Sequence, residues 1–210
     1  MIDQLPTTLD VRTVAPLVVV VGILIRLYAG STVFHPRYTA LWNVARRLGV
    51  PLLNRVALAR FGVDIENRSV EAEYVATVDE SVVDVVTALD TVADVEVPLL
   101  AGYKTDWEGR KETGTVVVYH GERWFATAPD WLRDRQTHLT FFRDADGRTV
   151  VTAHEEANSF RPDQWADHLF GRTMNREKGV RHARLLLAEC GILDSKLATE
   201  SPEYFNPGAG

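Results

Sequence analysis

Several residue types and motifs that would point to a function are scarce or absent. The chain has one cysteine in 210 residues, Cys190, which excludes an intrachain disulfide. No glycine-rich phosphate loop and no Gly-x-Ser-x-Gly elbow occurs, so no familiar pattern for nucleotide binding or serine hydrolysis is present. Lysine is rare, with 4 residues against 19 arginines, and the net charge is −6. This acidic balance argues against nucleic acid as a partner, because phosphate binding needs a basic surface.

The longest apolar run lies near the start, from Val14 to Ile25. Its twelve residues are fewer than the roughly 17–25 of a spanning helix. If the aliphatic part of Arg26 lies along the apolar surface, the run extends to Ala29, about sixteen residues. Residues 1–30 are therefore predicted to be a membrane anchor. The alternative is a buried core helix or strand, since four consecutive valines favour strands.

All the charged residues between this run and Asp64 are arginines. The positive-inside rule then predicts a single-pass protein of the cell membrane with a cytoplasmic C-terminal domain, and the alternative is a soluble cytoplasmic protein. Residues 31–62 have apolar residues at helical spacing, which predicts basic amphipathic helices that lie on anionic headgroups or pack on the following domain. The candidates for membrane-surface contact are Arg26, Arg37, Arg46, Arg47, Arg55 and Arg60.

Residues 63–191 are predicted to form an α+β domain, followed by a loosely held tail at 192–210. Helical patterns occur after Ser81 and from Asn175 to Cys190. Strands are expected near 70–78, 95–103, 114–120, 123–128, 136–143 and 149–156. This order predicts an antiparallel sheet of about five to six strands, packed by a short helix and a long C-terminal helix. It resembles a helix-grip arrangement, which implies an apolar small-molecule ligand.

Three segments and the acid-rich, lysine-poor composition resemble uncharacterised haloarchaeal membrane-associated proteins. The segments are Gln136-Thr137-His138-Leu139-Thr140, Ala153-His154-Glu155-Glu156 and Gly179-Val180-Arg181. The resemblance implies an association with the membrane and carries no known activity.

Histidines and carboxylates near the predicted strand ends are the best candidates for a ligand or metal site. The candidates are His138, His154, Glu155, Glu156 and His120. Two imidazoles and a carboxylate within reach of each other can bind Zn²⁺ or a similar ion. The alternative is a polar strand end whose histidines are simply hydrogen-bonded, because the chain lacks the His-Glu-x-x-His spacing of a helical zinc site.

The geometry of this cluster depends on the register of one hairpin. A turn about Ala145 and Asp146 pairs residues whose numbers sum to 291, so Thr137 would face His154. A shift by one residue would place His138 opposite His154.

The first functional hypothesis is a membrane-anchored domain that binds a partner protein or a small apolar ligand, without an evident catalytic motif. No cofactor is predicted. The alternatives are a metal-dependent enzyme using the histidine and glutamate cluster, and a structural subunit of a larger assembly such as a virion. Cys190 and His182, about 12 Å apart along a helix, cannot form a nucleophile and base pair.

Overall fold

The computed structural model describes residues 68–98, 103–129, 132–158 and 171–196, with single residues in 48–55 and 160–168. The predicted anchor, most of the predicted amphipathic helices and residues 197–210 lie outside the described residues. Leu48, Leu52 and Arg55 are helical and exposed. Within the described ranges, no helix is both long and apolar enough to cross a membrane.

A five-stranded antiparallel sheet forms the centre of the fold, in the order β1-β5-β4-β3-β2. The elements are β1 (Tyr74–Val78), α1 (Val82–Leu89), β2 (Val95–Glu96), β3 (Glu112–Arg123), β4 (Arg133–Arg143), β5 (Thr149–Ala157) and α2 (Arg176–Glu189). The predicted α+β class and antiparallel sheet are confirmed. The Ser81 hydroxyl caps α1 by accepting a hydrogen bond from the backbone N–H of Asp84, as its sequence predicts.

The two faces of the sheet differ in polarity. One face carries the main hydrophobic core, in which Leu139 and Phe141 of the sheet pack with Val85 of α1 and Leu187 of α2. The opposite face carries many polar side chains beside a smaller apolar cluster around Val117 and Tyr119, and Thr115, Thr140 and Thr152 on it are almost completely buried. Buried polar side chains are costly without partners, so this face must hold a hydrogen-bonded or ligand-binding arrangement.

The β4–β5 hairpin has a different register from the expected pairing about Ala145 and Asp146. Arg143 pairs with Thr149, so paired residue numbers sum to 292 instead of 291. The cause lies in the turn, where Gly147 adopts a φ of +84° and the backbone N–H of Asp144 bonds to the carbonyl of Arg148. A three-residue connection with glycine in the left-handed region replaces the two-residue turn.

The predicted strands 114–120 and 123–128 are also corrected. A single strand, β3, continues to Arg123, and residues 124–129 form the turn that leads to β4. Gly121, with a φ of +83°, forms an irregularity in the pairing with β4 that lets the strand continue where the sequence suggests a turn. Of the expected strand 95–103, only Val95–Glu96 is strand, and residues 99–102 are outside the described ranges.

Helix α2 packs against β5 through Gly179. A Cβ added at this position would overlap the backbone of His154 and Glu155. The start of the helix is held on the same strand, because Asn175 exchanges two backbone hydrogen bonds with Glu155. The absence of a side chain at Gly179 therefore sets how closely α2 approaches the strand that carries His154.

The Gly179→Ala substitution tests this contact, because helix propensity and packing predict opposite changes in the free energy of unfolding. Glycine to alanine in a helix free of contacts stabilises it by about 0.5–1 kcal/mol. Here we expect the free energy of unfolding to fall by about 1–3 kcal/mol, because the added methyl group overpacks the interface. Urea denaturation measures the change. The exposed neighbour Arg181→Ala should change stability by less than about 0.5 kcal/mol, and a stabilised G179A protein would contradict the packing described.

Candidate metal centre

Three side chains on the polar face of the sheet bring potential metal ligands together. His138 and His154 are directly paired across β4 and β5, and Glu156 follows on the same face. One donor atom from each of the three residues lies within 4.8 Å of the other two. His138 Nε2 lies 2.7 Å and His154 Nε2 3.9 Å from Glu156 Oε1. Within the described residues, this is the one group of three or more such side chains that could hold an ion.

The two donor distances to Glu156 Oε1 are close to those that a bound ion requires. With metal–ligand bonds of about 2.1 Å, tetrahedral donors are about 3.4 Å apart. The pair at 2.7 Å must separate and the pair at 3.9 Å must approach, each by less than about 1 Å. The two imidazole rings are stacked, 5.3 Å apart and inclined by 10°.

The environment favours the uncharged form of His138. Burial lowers the pKa of His138 to about 4, although the neighbouring Glu156 carboxylate acts in the opposite direction. Neutral imidazole is the form that ligates metal ions, and at neutral pH no proton has to be removed from this side chain first.

Glu156 is held as an anion by two histidines. Burial raises its pKa, but the charge of His168 and the contact with His138 outweigh burial, so the pKa of Glu156 lies well below its usual value. His168 Nδ1 lies 3.2 Å from Glu156 Oε2, and the pKa of His168 is raised, because this carboxylate outweighs its burial. One carboxylate oxygen therefore faces His168 and the other faces His138 and His154.

A second buried carboxylate, Glu73, lies behind His154. Its Oε1 is 3.3 Å from His154 Nδ1, the nitrogen that does not face Glu156. Glu73 is fully buried, and neither of its oxygens has a hydrogen bond of good geometry in the described part of the chain. A histidine between a carboxylate and a metal ion is the common arrangement in protein metal sites, since the carboxylate orients the ring and raises its basicity.

The hydrogen bonds around His138 cannot all be satisfied while Glu156 is ionised. The side-chain amide nitrogen of Gln136 lies 2.8 Å from His138 Nε2 and 3.1 Å from Glu156 Oε1. If Nε2 of His138 is protonated, its N–H points at the N–H groups of the Gln136 amide, which is repulsive. If Nε2 is unprotonated, its lone pair points at the ionised carboxylate of Glu156, which is also repulsive. Turning the amide places its oxygen against the carboxylate oxygen. Every arrangement leaves one repulsive contact, and a cation between Nε2 and Oε1 removes it.

The structure places the remaining candidates, His120 and Glu155, on the opposite face of the sheet. There the Thr137 hydroxyl lies 2.9 Å from His120 Nε2 and 2.8 Å from His182 Nδ1. Glu155 Oε2 is 3.7 Å from His120 Nε2. The five candidates therefore divide between two clusters, because neighbouring residues of a strand point to opposite faces.

The sequence reasoning missed three residues that contact the candidate ligands: Glu73, Gln136 and His168. Alternation predicted a strand from Val70 with Glu73 exposed, but residues Glu71–Glu73 form one turn of 3-10 helix and β1 begins at Tyr74. Gln136 could have been found, since it lies two residues before His138 on the same face. Nothing in the sequence links His168 to these strands.

Of the six arginines predicted to contact a membrane surface, only Arg55 is described, and it is exposed. Arg26, Arg37, Arg46, Arg47 and Arg60 lie outside the described residues. Comparisons with protein-family models, with curated proteins and with solved structures yield no match.

The polar group of Thr137, Glu155, His120 and His182, on the face opposite the candidate metal centre, predicts how stability depends on pH. Burial lowers the pKa of His182 to about 4, His120 acts in the same direction, and Glu155 opposes them. Between about pH 6.5 and 4 the unfolded chain protonates this histidine and the folded chain does not, so stability falls as the pH falls. We expect His182→Gln to reduce the loss of unfolding free energy between pH 7.5 and 4.5 by roughly 1–2 kcal/mol, after allowance for partial exposure.

Urea denaturation at both pH values, in the presence of a chelator, measures this difference. Arg181→Gln, a non-titrating change at the preceding exposed position, should keep the pH dependence of the original chain. Equal pH dependence in H182Q and the original chain would show that His182 is not held neutral.

Proposed function

We propose that the α+β domain binds one divalent transition-metal ion through His138 Nε2, His154 Nε2 and Glu156 Oε1. The observation that carries the proposal is the convergence of these three donors within 4.8 Å on one buried face. Two imidazoles and a carboxylate suit zinc and other first-row ions. Three protein ligands leave at least one coordination position for water or a substrate oxygen, the arrangement of catalytic rather than structural sites.

The surroundings support an ion over a purely structural polar cluster. A structural cluster should satisfy its members, since a half-satisfied buried network costs more than apolar packing. The three contacts among Gln136, His138 and Glu156 cannot all be favourable while Glu156 is ionised, and both oxygens of Glu73 lack a hydrogen bond within the described residues. An ion would accept the lone pairs of His138 and His154, and the Nδ1–H of His154 would then be free to donate to Glu73.

We infer that a ligand approaches the polar face and not the face under α2. The helix-grip arrangement proposed from the sequence would place an apolar ligand between helix and sheet. Described side chains between α2 and the sheet, among them Val180 and Leu187, belong to the main hydrophobic core, and the polar group of Thr137, Glu155 and His182 lies on the same face. The polar face offers the charged and metal-binding groups that fix a ligand in one orientation.

Attachment to a membrane stays a proposal that rests on the apolar run from Val14 and the arginines after it. The predicted orientation, with the C-terminal domain in the cytoplasm, rests on those arginines as well. An assembly role or a partner protein is likewise a proposal from the sequence. None of these conflicts with a metal centre in the sheet.

Metal binding is testable on the full-length chain in mild detergent after removal of metal by a chelator. We expect one Zn²⁺ or Co²⁺ per chain by elemental analysis, and at least about 100-fold weaker binding by calorimetry in His154→Gln and Glu156→Gln, which each remove a ligand. His120→Gln is the matched control, because His120 is a histidine of the same sheet on the opposite face. Failure of the original chain to bind either ion, or an equal loss in H120Q, would refute the assignment.

Glu73→Gln tests the carboxylate behind His154. The substitution keeps the size of the side chain and removes the charge that orients the ring. We expect metal affinity to fall about 10- to 100-fold while the stoichiometry stays at one. The exposed neighbour Glu71→Gln should bind metal like the original chain. Unchanged affinity in E73Q would mean that Glu73 does not support the ligand.

A further inference from the structure

The side-chain amide of Gln136 lies against three groups of the candidate metal centre. Gln136 is 2 % exposed and lies two residues before His138 on the same face of β4. Its amide nitrogen is 2.8 Å from His138 Nε2, 3.1 Å from Glu156 Oε1 and 3.4 Å from His168 Nδ1. Two of these three atoms are donors that the proposed ion requires, so the amide lies at the edge of its coordination shell.

This position suits a metal ligand when the amide is rotated. A rotation by 180° exchanges the nitrogen and the oxygen and keeps the rest of the side chain in place. The oxygen then takes the place of the nitrogen, which lies 2.8 Å from His138 Nε2 and 3.1 Å from Glu156 Oε1. Tetrahedral donors with metal–ligand bonds of about 2.1 Å are about 3.4 Å apart. Movements of less than about 1 Å therefore bring this oxygen into the coordination shell.

His168 favours the rotated amide. Its Nδ1 lies 2.9 Å from the backbone carbonyl oxygen of Ala157. A carbonyl oxygen only accepts hydrogen bonds, so Nδ1 carries a hydrogen whether the ring is neutral or charged. The amide nitrogen of Gln136 turns a second donor toward this N–H at 3.4 Å, whereas the amide oxygen would accept from it. Rotation thus makes this contact attractive without a change in any charge.

The carboxylate of Glu156 is the group that opposes the rotated amide. Its Oε1 would face the amide oxygen, and two oxygens with only lone pairs between them repel each other. An ion bound to both oxygens removes this repulsion and also accepts the lone pair of His138 Nε2. With an ion present, the contacts of the rotated amide with His138, Glu156 and His168 are all favourable at once.

We propose that the side-chain oxygen of Gln136 is the fourth protein ligand of the metal ion. The proposal rests on the centre of the proposed function, whose three ligands are His138, His154 and Glu156. Two nitrogens and two oxygens form a ligand set that suits zinc and other first-row ions. In a tetrahedral centre Gln136 takes the position that the other three leave open. A water or substrate oxygen then binds as a fifth ligand, which catalytic zinc sites accept in the transition state.

The test uses the full-length chain in mild detergent, freed of metal by a chelator and loaded with Co²⁺, whose visible absorption reports the number and kind of its ligands. Gln136→Met keeps the length of the side chain and removes the oxygen. We expect a changed Co²⁺ spectrum and an affinity for Co²⁺ at least about tenfold lower. Gln136→Glu keeps an oxygen at this position, and we expect it to bind Co²⁺ at least as tightly as the original chain.

Arg135→Met is the matched control, because it is the same replacement at the preceding residue of β4, whose side chain lies near Glu155 on the opposite face. It should keep the spectrum and the affinity of the original chain. A Co²⁺ spectrum in Q136M like that of the original chain overturns the role of Gln136 as a ligand, whatever its affinity, and leaves the metal centre intact.

Failure of the original chain to bind Co²⁺ refutes the metal centre instead, and the role of Gln136 with it. If Q136M does not fold, a crystal structure of the original chain loaded with Zn²⁺ decides. We expect the Gln136 side-chain oxygen at about 2.0–2.2 Å from the ion. An amide oxygen turned away from the ion overturns the proposal.

Discussion

The pairing of His138 with His154 across β4 and β5 is the constraint on which the candidate centre depends. Side chains alternate between the faces of a strand, so this register also brings Gln136 beside Glu156 and sends Thr137 and Glu155 to the other face. The left-handed glycine of the connecting turn sets the register. A slip by one residue would separate the two imidazoles and exchange the polar and apolar faces of β4.

Packing on the apolar face of the sheet fixes the position of the strand that carries His154 and Glu156. Helix α2 covers the back of β5, and its approach depends on Gly179 beneath His154 and on the backbone pairing of Asn175 with Glu155. The strand that carries two of the three potential ligands is thus packed from behind by the main core. Rigid support of this kind keeps ligating side chains in position, which metal sites on sheets require. Arg176, at the start of the same helix, reaches Glu73 and links the helix to the polar face.

Local pattern predicted much of the secondary structure. The strands expected at 136–143 and 149–156 and the cap at Ser81 all correspond to elements of the structure. Two of the errors occurred where a glycine changed its role. Gly121 continues a strand through an irregularity where a turn was expected, and Gly147 lengthens a turn by one residue. Both depend on a backbone conformation that residue type permits but does not impose.

The sequence by itself determined the α+β class, the antiparallel sheet and the presence of His138, His154 and Glu156 on neighbouring strands, because periodicity and short-range order are local properties. Only the tertiary structure decided which histidines share a face, and it separated His120 and Glu155 from the other three. It also brought in Glu73 and His168 from segments remote in sequence. Burial and the balance of charge are properties of the packed chain, so they could not be read from spacing alone.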